Sequence, residues 1–149
     1  MDQRGKRIKI LMADDDEDDR MMMKEALEEA CLADVIHFVE DGEELMDYLR
    51  RRGVHAEART STRPDLILLD LNMPKRDGRE ALKEIKRDPD LRRIPIVVLT
   101  TSKAEEDVYR TYDLGANSYI TKPASFEELI RTVKTLVNYW FEIVILPAG

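Results

Sequence analysis

Leu66-Ile67-Leu68-Leu69-Asp70-Leu71-Asn72-Met73-Pro74 is the stretch on which the fold turns. Four apolar residues run without alternation and close on a carboxylate and then a turn, the pattern of a short strand covered on both faces. The segments on either side repeat the arrangement. Upstream, Ile8-Lys9-Ile10-Leu11-Met12-Ala13 ends directly at Asp14-Asp15, and Val35 to Val39 forms a second short run before Asp41-Gly42. Downstream, Ile94-Pro95-Ile96-Val97-Val98-Leu99 ends at Thr100, and Ser118-Tyr119-Ile120-Thr121 ends at Lys122-Pro123. Amphipathic helices fit between these runs. Residues 18–32 carry Met22, Met23, Ala26, Leu27 and Ala30 at helical spacing, and 43–52 carry Leu45, Met46 and Leu49. Residues 78–87 carry Ala81, Leu82 and Ile85, and 104–114 stop at Gly115. Ser125, with Glu128 three residues on, opens a last helix as a capping box. Residues 53–63 are polar and unpatterned, and read as a surface loop.

Five strands alternating with five helices predict an α/β fold, a doubly wound five-stranded parallel sheet. Such sheets bind ligands beyond the carboxyl ends of their strands, at the topological switch point. The residues at those ends are Asp14 and Asp15, Asp70, Thr100 and Lys122. Clustered carboxylates repel one another unless a cation neutralises them, and hard oxygen ligands suit Mg²⁺. An ammonium opposite the metal, a hydroxyl and a carboxylate nucleophile complete what phosphoryl transfer to an aspartate requires. Taken singly, a strand-end Asp is a cap, a Thr a turn residue and a Lys-Pro a surface turn. The inference rests on all of them falling at the same end of successive strands.

With 149 residues, the chain fits one ordinary domain. No run approaches the 18 apolar residues of a membrane span, and no signal-peptide core follows the N-terminus, so an integral membrane protein is excluded and cytoplasmic residence is expected. The single Cys31 forms no internal disulfide, and without Cys/His clusters a zinc site is not expected. The net charge of −7 is concentrated in Asp14-Asp15-Asp16-Glu17-Asp18-Asp19, and the rest is close to neutral. That distribution argues against nucleic-acid binding through a broad basic face.

At these residues the sequence resembles the receiver domains of two-component response regulators. The features are the acidic pair, Leu68-Leu69-Asp70-Leu71-Asn72-Met73-Pro74 with Asp77-Gly78, Thr100 thirty residues after Asp70, and Lys122-Pro123 fifty-two residues after it. The resemblance implies the CheY-like, flavodoxin-like arrangement, a receiver domain over 1–137 and a C-terminal extension over 138–149. It also implies roles: Asp70 as phosphoacceptor; Asp14, Asp15 and Asp70 as Mg²⁺ ligands with the backbone carbonyl of Asn72; Lys122 as partner of the phosphoryl group. Thr100 would be the switching hydroxyl and Tyr119 the aromatic that follows it. A register one residue later, Asp15/Asp16, remains the alternative for the acidic pair, and Asp18 and Asp19 read as helix N-terminal acids favoured by the dipole. A narrower resemblance, in Pro89 to Ser102, the lengthened segment before Asp70 and the tail, is to small regulators paired with phytochrome-type sensor histidine kinases.

The tail, Asn138 to Pro147, carries Tyr139-Trp140-Phe141 consecutively, followed by Ile143 and Ile145. It either packs back on its own domain or marks an intermolecular surface. The favoured expectation is a homodimer through the strand-four to helix-five side with Tyr139, Trp140, Phe141, Ile143 and Ile145. Met21-Met22-Met23 on helix one cannot all face the core, so at least one should be exposed, on the face where a kinase phosphohistidine domain would dock. Two other functions compete. A Mg²⁺-dependent phosphohydrolase would want a second acid near Asp70 and a cap domain, and Leu71-Asn72 and the short connections supply neither. A receiver-like scaffold that no longer phosphorylates would keep the fold without the chemistry.

Overall fold

Strands of four or five residues cannot bury a hydrophobic face alone, and here each is paired in parallel with its neighbours. The computed structural model describes residues 9–32, 36–50 and 63–147. In chain order the elements are β1 (Ile10–Ala13), α1 (Glu17–Glu29), β2 (Ile36–Val39), α2 (Gly42–Arg50), β3 (Leu66–Leu69) and α3 (Gly78–Arg87). Then come β4 (Ile96–Thr100), α4 (Glu105–Leu114), β5 (Ser118–Thr121) and α5 (Phe126–Val137), which runs into a π-helical turn at Asn138–Ile143. The sheet order is β2-β1-β3-β4-β5, and every pair is parallel. The chain winds outward from β1 in one direction to β2 and in the other to β3, β4 and β5. The switch point therefore lies between β1 and β3.

The unbroken apolar runs follow from two covered faces. Leu11, Ala13, Ile67, Leu69, Ile96 and Val98 pack with Leu45, Met46 and Leu49 of α2 and Ala81, Leu82 and Ile85 of α3. The alternate residues Ile10, Met12, Leu66, Leu68, Val97 and Leu99 pack with Met23, Ala26 and Leu27 of α1 and Leu129 and Val133 of α5. Strand periodicity is thus present but invisible to a hydropathy reading, because both phases are buried.

Element ends differ from the sequence expectations for local reasons. The fourth strand begins at Ile96 rather than Ile94: Pro95 has no N–H, and its carbonyl accepts from Ile67 N at 3.0 Å. Thr100 is the last residue of that strand rather than the first beyond it. Helix one covers Glu17–Glu29, not 18–32. It stops early because Cys31 is left-handed at φ 60, with Leu32 N donating to Leu27 O and Cys31 N to Glu28 O. That is a Schellman ending with cysteine where glycine is usual. Gly115 ends α4 at φ 113, as its type predicts, and Ser125 Oγ accepts the N–H of Glu128 at 3.1 Å. Helix two starts at Gly42. The expected Val35, the end of that helix at residues 51–52, and the loop over 53–62 lie outside the described residues.

The tail divides. Phe141 is 3% exposed and joins the α1–α5 core, with Trp140 and Leu146 packed against it, so Phe141 is not available to a partner as the sequence reading expects. Tyr139, Ile143 and Ile145 remain exposed. Met23 is buried while Met21 and Met22 are exposed, as three adjacent methionines require.

Candidate functional site

Register brings the site together before any side chain does. Ala13 and Leu69 are paired partners at the last positions of β1 and β3, so Asp14 and Asp70 emerge side by side. Asp70 N donates to Ala13 O at 3.0 Å, and Asp14 N to Val39 O at 3.1 Å. β4 and β5 end in register at Thr100 and Thr121, and Lys122 N donates to Thr100 O at 2.8 Å. Behind Asp70 stands Gly78, whose N–H donates to Leu71 O. A Cβ there would lie 2.2 Å from the Asp70 carbonyl oxygen. Only glycine lets α3 start so close to the strand end.

Asp70 is buried, and both of its oxygens are engaged. Thr100 Oγ1 donates to Oδ1 at 2.9 Å, Asn72 N donates to the same oxygen at 3.3 Å, and Lys122 Nζ donates to Oδ2 at 3.2 Å. Lys122 also meets Asp14 Oδ2 at 2.9 Å and Asp19 Oδ2 at 2.5 Å. Burial pulls the Lys122 ammonium down, but the carboxylates of Asp19 and Asp14 outweigh it and hold the group above its ordinary value. Asp14 goes the other way. Burial pushes its carboxyl up to about 6, against the opposing pull of Lys122 and the Asp16 N–H.

Asp14, Asp15 and Asp70 each present an oxygen within 4.8 Å of the others. Asp15 is exposed, while Asp14 and Asp70 are buried. Asp14 Oδ2 has an ion-pair contact with Lys122, but no donor is aligned with it as a hydrogen bond. A buried carboxylate oxygen short of donors, beside two more carboxylates, fits a hard divalent cation. The structure gathers Asp14 and Asp15, and not Asp16, with Asp70. Asp16 is used otherwise, capping α1 with Oδ1 on the N–H groups of Asp18 and Asp19 at 2.9 and 3.3 Å.

A second set of contacts leads away from the site. Tyr119 is partly buried, and its hydroxyl donates to Ser102 O at 2.9 Å. Ser102 Oγ donates to Asp107 Oδ2 at 2.6 Å, and Asp107 Oδ1 accepts from Arg79 Nε at 2.9 Å. Arg79 in turn holds Asp77, the residue before α3. The Arg79 and Ser102 bonds hold the Asp107 carboxyl below its usual range. The loop between β4 and α4 is therefore tied to the start of α3 as well as to Tyr119.

The sequence reading places Asp14, Asp15, Asp70, Thr100 and Lys122 at one edge, and the structure brings them together. Asp19 lies in the first turn of α1, as the sequence reading places it, but that reading misses that its carboxylate is the shortest contact of Lys122. It also misses the Arg79–Asp107 pair, which spans two helices and leaves no trace in local spacing.

Comparison with known proteins agrees with this geometry. The response regulator receiver domain model matches residues 10–134. Response regulator Rcp1 of Synechocystis sp. is 44% identical over 140 residues, covering 94% of this chain and 93% of that protein. The crystal structure of the phosphorylated cyanobacterial phytochrome response regulator RcpA superposes with a TM-score of 0.87 at 46% identity, covering 95% of this chain and 99% of that one. The Mn²⁺-bound form of Rcp1 superposes at 0.84 and 42%, with the same coverage. A match over most of the chain and identities of this size, on a site built as described, establish that this chain belongs to the response regulator receiver domain family.

Proposed function

We propose that Asp70 accepts a phosphoryl group from the phosphohistidine of a sensor histidine kinase, of the phytochrome type, and that the chain is a signalling switch rather than an enzyme acting on other substrates. The observation that carries this reading is the surrounding of Asp70: a buried carboxylate between a hydroxyl at 2.9 Å and an ammonium at 3.2 Å, beside two further carboxylates. An Asp70 oxygen attacks phosphorus as the N–P bond of the donor breaks, and the electron pair leaves on the imidazole nitrogen, which takes a proton. Asp14, Asp15 and Asp70, with the backbone carbonyl of Asn72, would hold Mg²⁺, which supplies charge neutralisation to the transferring oxygens. Lys122 neutralises the phosphoryl group from the opposite side. Thr100 turns its hydroxyl from Asp70 Oδ1 to a phosphoryl oxygen, and Tyr119 gives up Ser102 O to fill the space vacated.

Similarity to the cyanobacterial phytochrome response regulator RcpA supports the kinase class. The exposed Met21 and Met22 on α1, flanking the site, suit an adaptable docking face for it. Output is assigned to a homodimer through the β4–α5 side and the tail, where Tyr139, Ile143 and Ile145 are exposed and Trp140 is partly so. No helix among the described residues is long and apolar enough to cross a membrane, and we place the chain in the cytoplasm. Phosphotransfer from a radiolabelled phytochrome kinase is the test. Transfer to the chain and not to Asp70→Asn is expected, and transfer that persists in Asp70→Asn would refute the assignment.

A further inference from the structure

The Lys122 ammonium lies among three carboxylates: it donates to Asp19 Oδ2 at 2.5 Å and to Asp70 Oδ2 at 3.2 Å, and is ion-paired with Asp14 Oδ2 at 2.9 Å without an aligned hydrogen bond. These carboxylates differ in depth. The Asp14 side chain is fully buried and that of Asp70 6% exposed, but that of Asp19 is 24% exposed. The Asp19 contact is also the shortest, so the tightest hold on the ammonium comes from the most exposed of its three carboxylates. Asp19 is carried by α1, while Lys122 follows β5; the pair closes the mouth of the site between two elements far apart in sequence. Met22, one turn along α1, lines a small cavity with Asp19, Lys122 and Pro123.

A phosphoryl group on Asp70 needs the Lys122 ammonium to turn to it, and the two aligned hydrogen bonds of that ammonium go to Asp19 and Asp70. Asp70 remains the partner of Lys122 through its phosphoryl group, and Asp14 is buried beside it. The donor that can be released at least cost is the one on the partly exposed Asp19. We propose that Asp19 is a positioning residue that holds Lys122 at the mouth of the site in the unphosphorylated state and yields it to the incoming phosphoryl group. The proposal rests on the reading of Asp70 as phosphoacceptor. Asp19 sets the rate of phosphorylation by competing for Lys122. Because it lies on α1 beside Met22, a partner that docks on α1 also bears on that competition.

The test is the rate at which the full chain gains one phosphoryl group from acetyl phosphate with Mg²⁺, followed by intact mass at subsaturating donor. In this reaction the bond from phosphorus to the bridging oxygen breaks and acetate leaves with the electron pair. Asp19→Asn should label about three- to fivefold faster than the parent chain, the worth of one partly exposed ion pair, and Asp19→Glu should return close to the parent rate. Asp18→Asn serves as the control for charge alone, since Asp18 is exposed in the same turn and its side chain does not reach Lys122. An unchanged or slower Asp19→Asn, or an equal acceleration in Asp18→Asn, overturns the proposal while leaving Asp70 as acceptor. A parent chain that does not label at all overturns both.

Discussion

Neutralising Asp14 should stabilise the metal-free protein while removing its capacity for cation binding. Asp14 sits wholly buried at the end of β1 with its carboxyl pushed up from 3.8 to about 6, chiefly by burial. A group whose folded value is raised takes up its proton more readily in the folded state, so its ionisation opposes folding. A rise of that size corresponds to about 3 kcal/mol, a cost present in full above pH 6 and relieved as pH falls toward 4. Asp14→Asn keeps the shape and removes that cost. It also removes one of three carboxylates from Lys122, which returns part of the gain, so the net expectation is about 1–3 kcal/mol at pH 7.5. Urea unfolding in EDTA reads it directly. The parent chain should gain stability between pH 7.5 and 5, and Asp14→Asn should start higher and show a flatter profile. Excess Mg²⁺ should stabilise the parent and not the variant. A variant less stable than the parent at pH 7.5 without metal, or one with an unchanged pH slope, would rule out burial of this carboxylate as a cost to the fold.

Particular contacts set further expectations. Gly78→Ala forces a Cβ to 2.2 Å from the Asp70 carbonyl, so α3 must shift; thermal unfolding should show a loss of about 2 kcal/mol or more. Phe141→Ala should destabilise the monomer by about 3–4 kcal/mol, since its ring is buried in the α1–α5 core, whereas Ile145→Ala should leave monomer stability within about 0.5 kcal/mol. If the exposed tail residues form the dimer, light scattering should register Ile145→Ala instead. Cys31→Gly should stabilise by about 1 kcal/mol in chemical denaturation, because a left-handed position then carries a residue with no Cβ to strain it.

The parts of the molecule legible in sequence are those whose cause is local or periodic. Strand three and helix three are bounded by residues that cannot continue them, Asp70 after Leu69 and Asp88-Pro89 after Arg87, and both elements lie where the sequence places them. The clustered carboxylates Asp14, Asp15 and Asp70 are legible because strand ends in a parallel sheet share an edge. Asp19 is not, because its partner comes from a loop 103 residues away, and nothing in α1 records which way its first turn faces. The early end of α1 rests on a cysteine in a glycine's conformation, for which residue type gives no warning. The tail does carry a further signal: Leu129, Val133, Val137 and Phe141 recur every four residues. Leu129, Val133 and Phe141 are buried and Val137 packs against the same core, so the stripe of α5 continues into the π-helical turn. That wider turn, closed by Val144 N on Tyr139 O, keeps Phe141 on the inward side where an α-helix would drift away.

Whether Asp70 is the phosphoacceptor of a metal-dependent switch is addressed most directly by intact mass after incubation with acetyl phosphate. The comparison is with and without Mg²⁺, for the parent chain and Asp70→Asn. The expected result is a gain of one phosphoryl group, about 80 Da, that requires the metal and is lost in the variant. A chain that gains nothing under any condition, or an Asp70→Asn that gains as much as the parent, would contradict it.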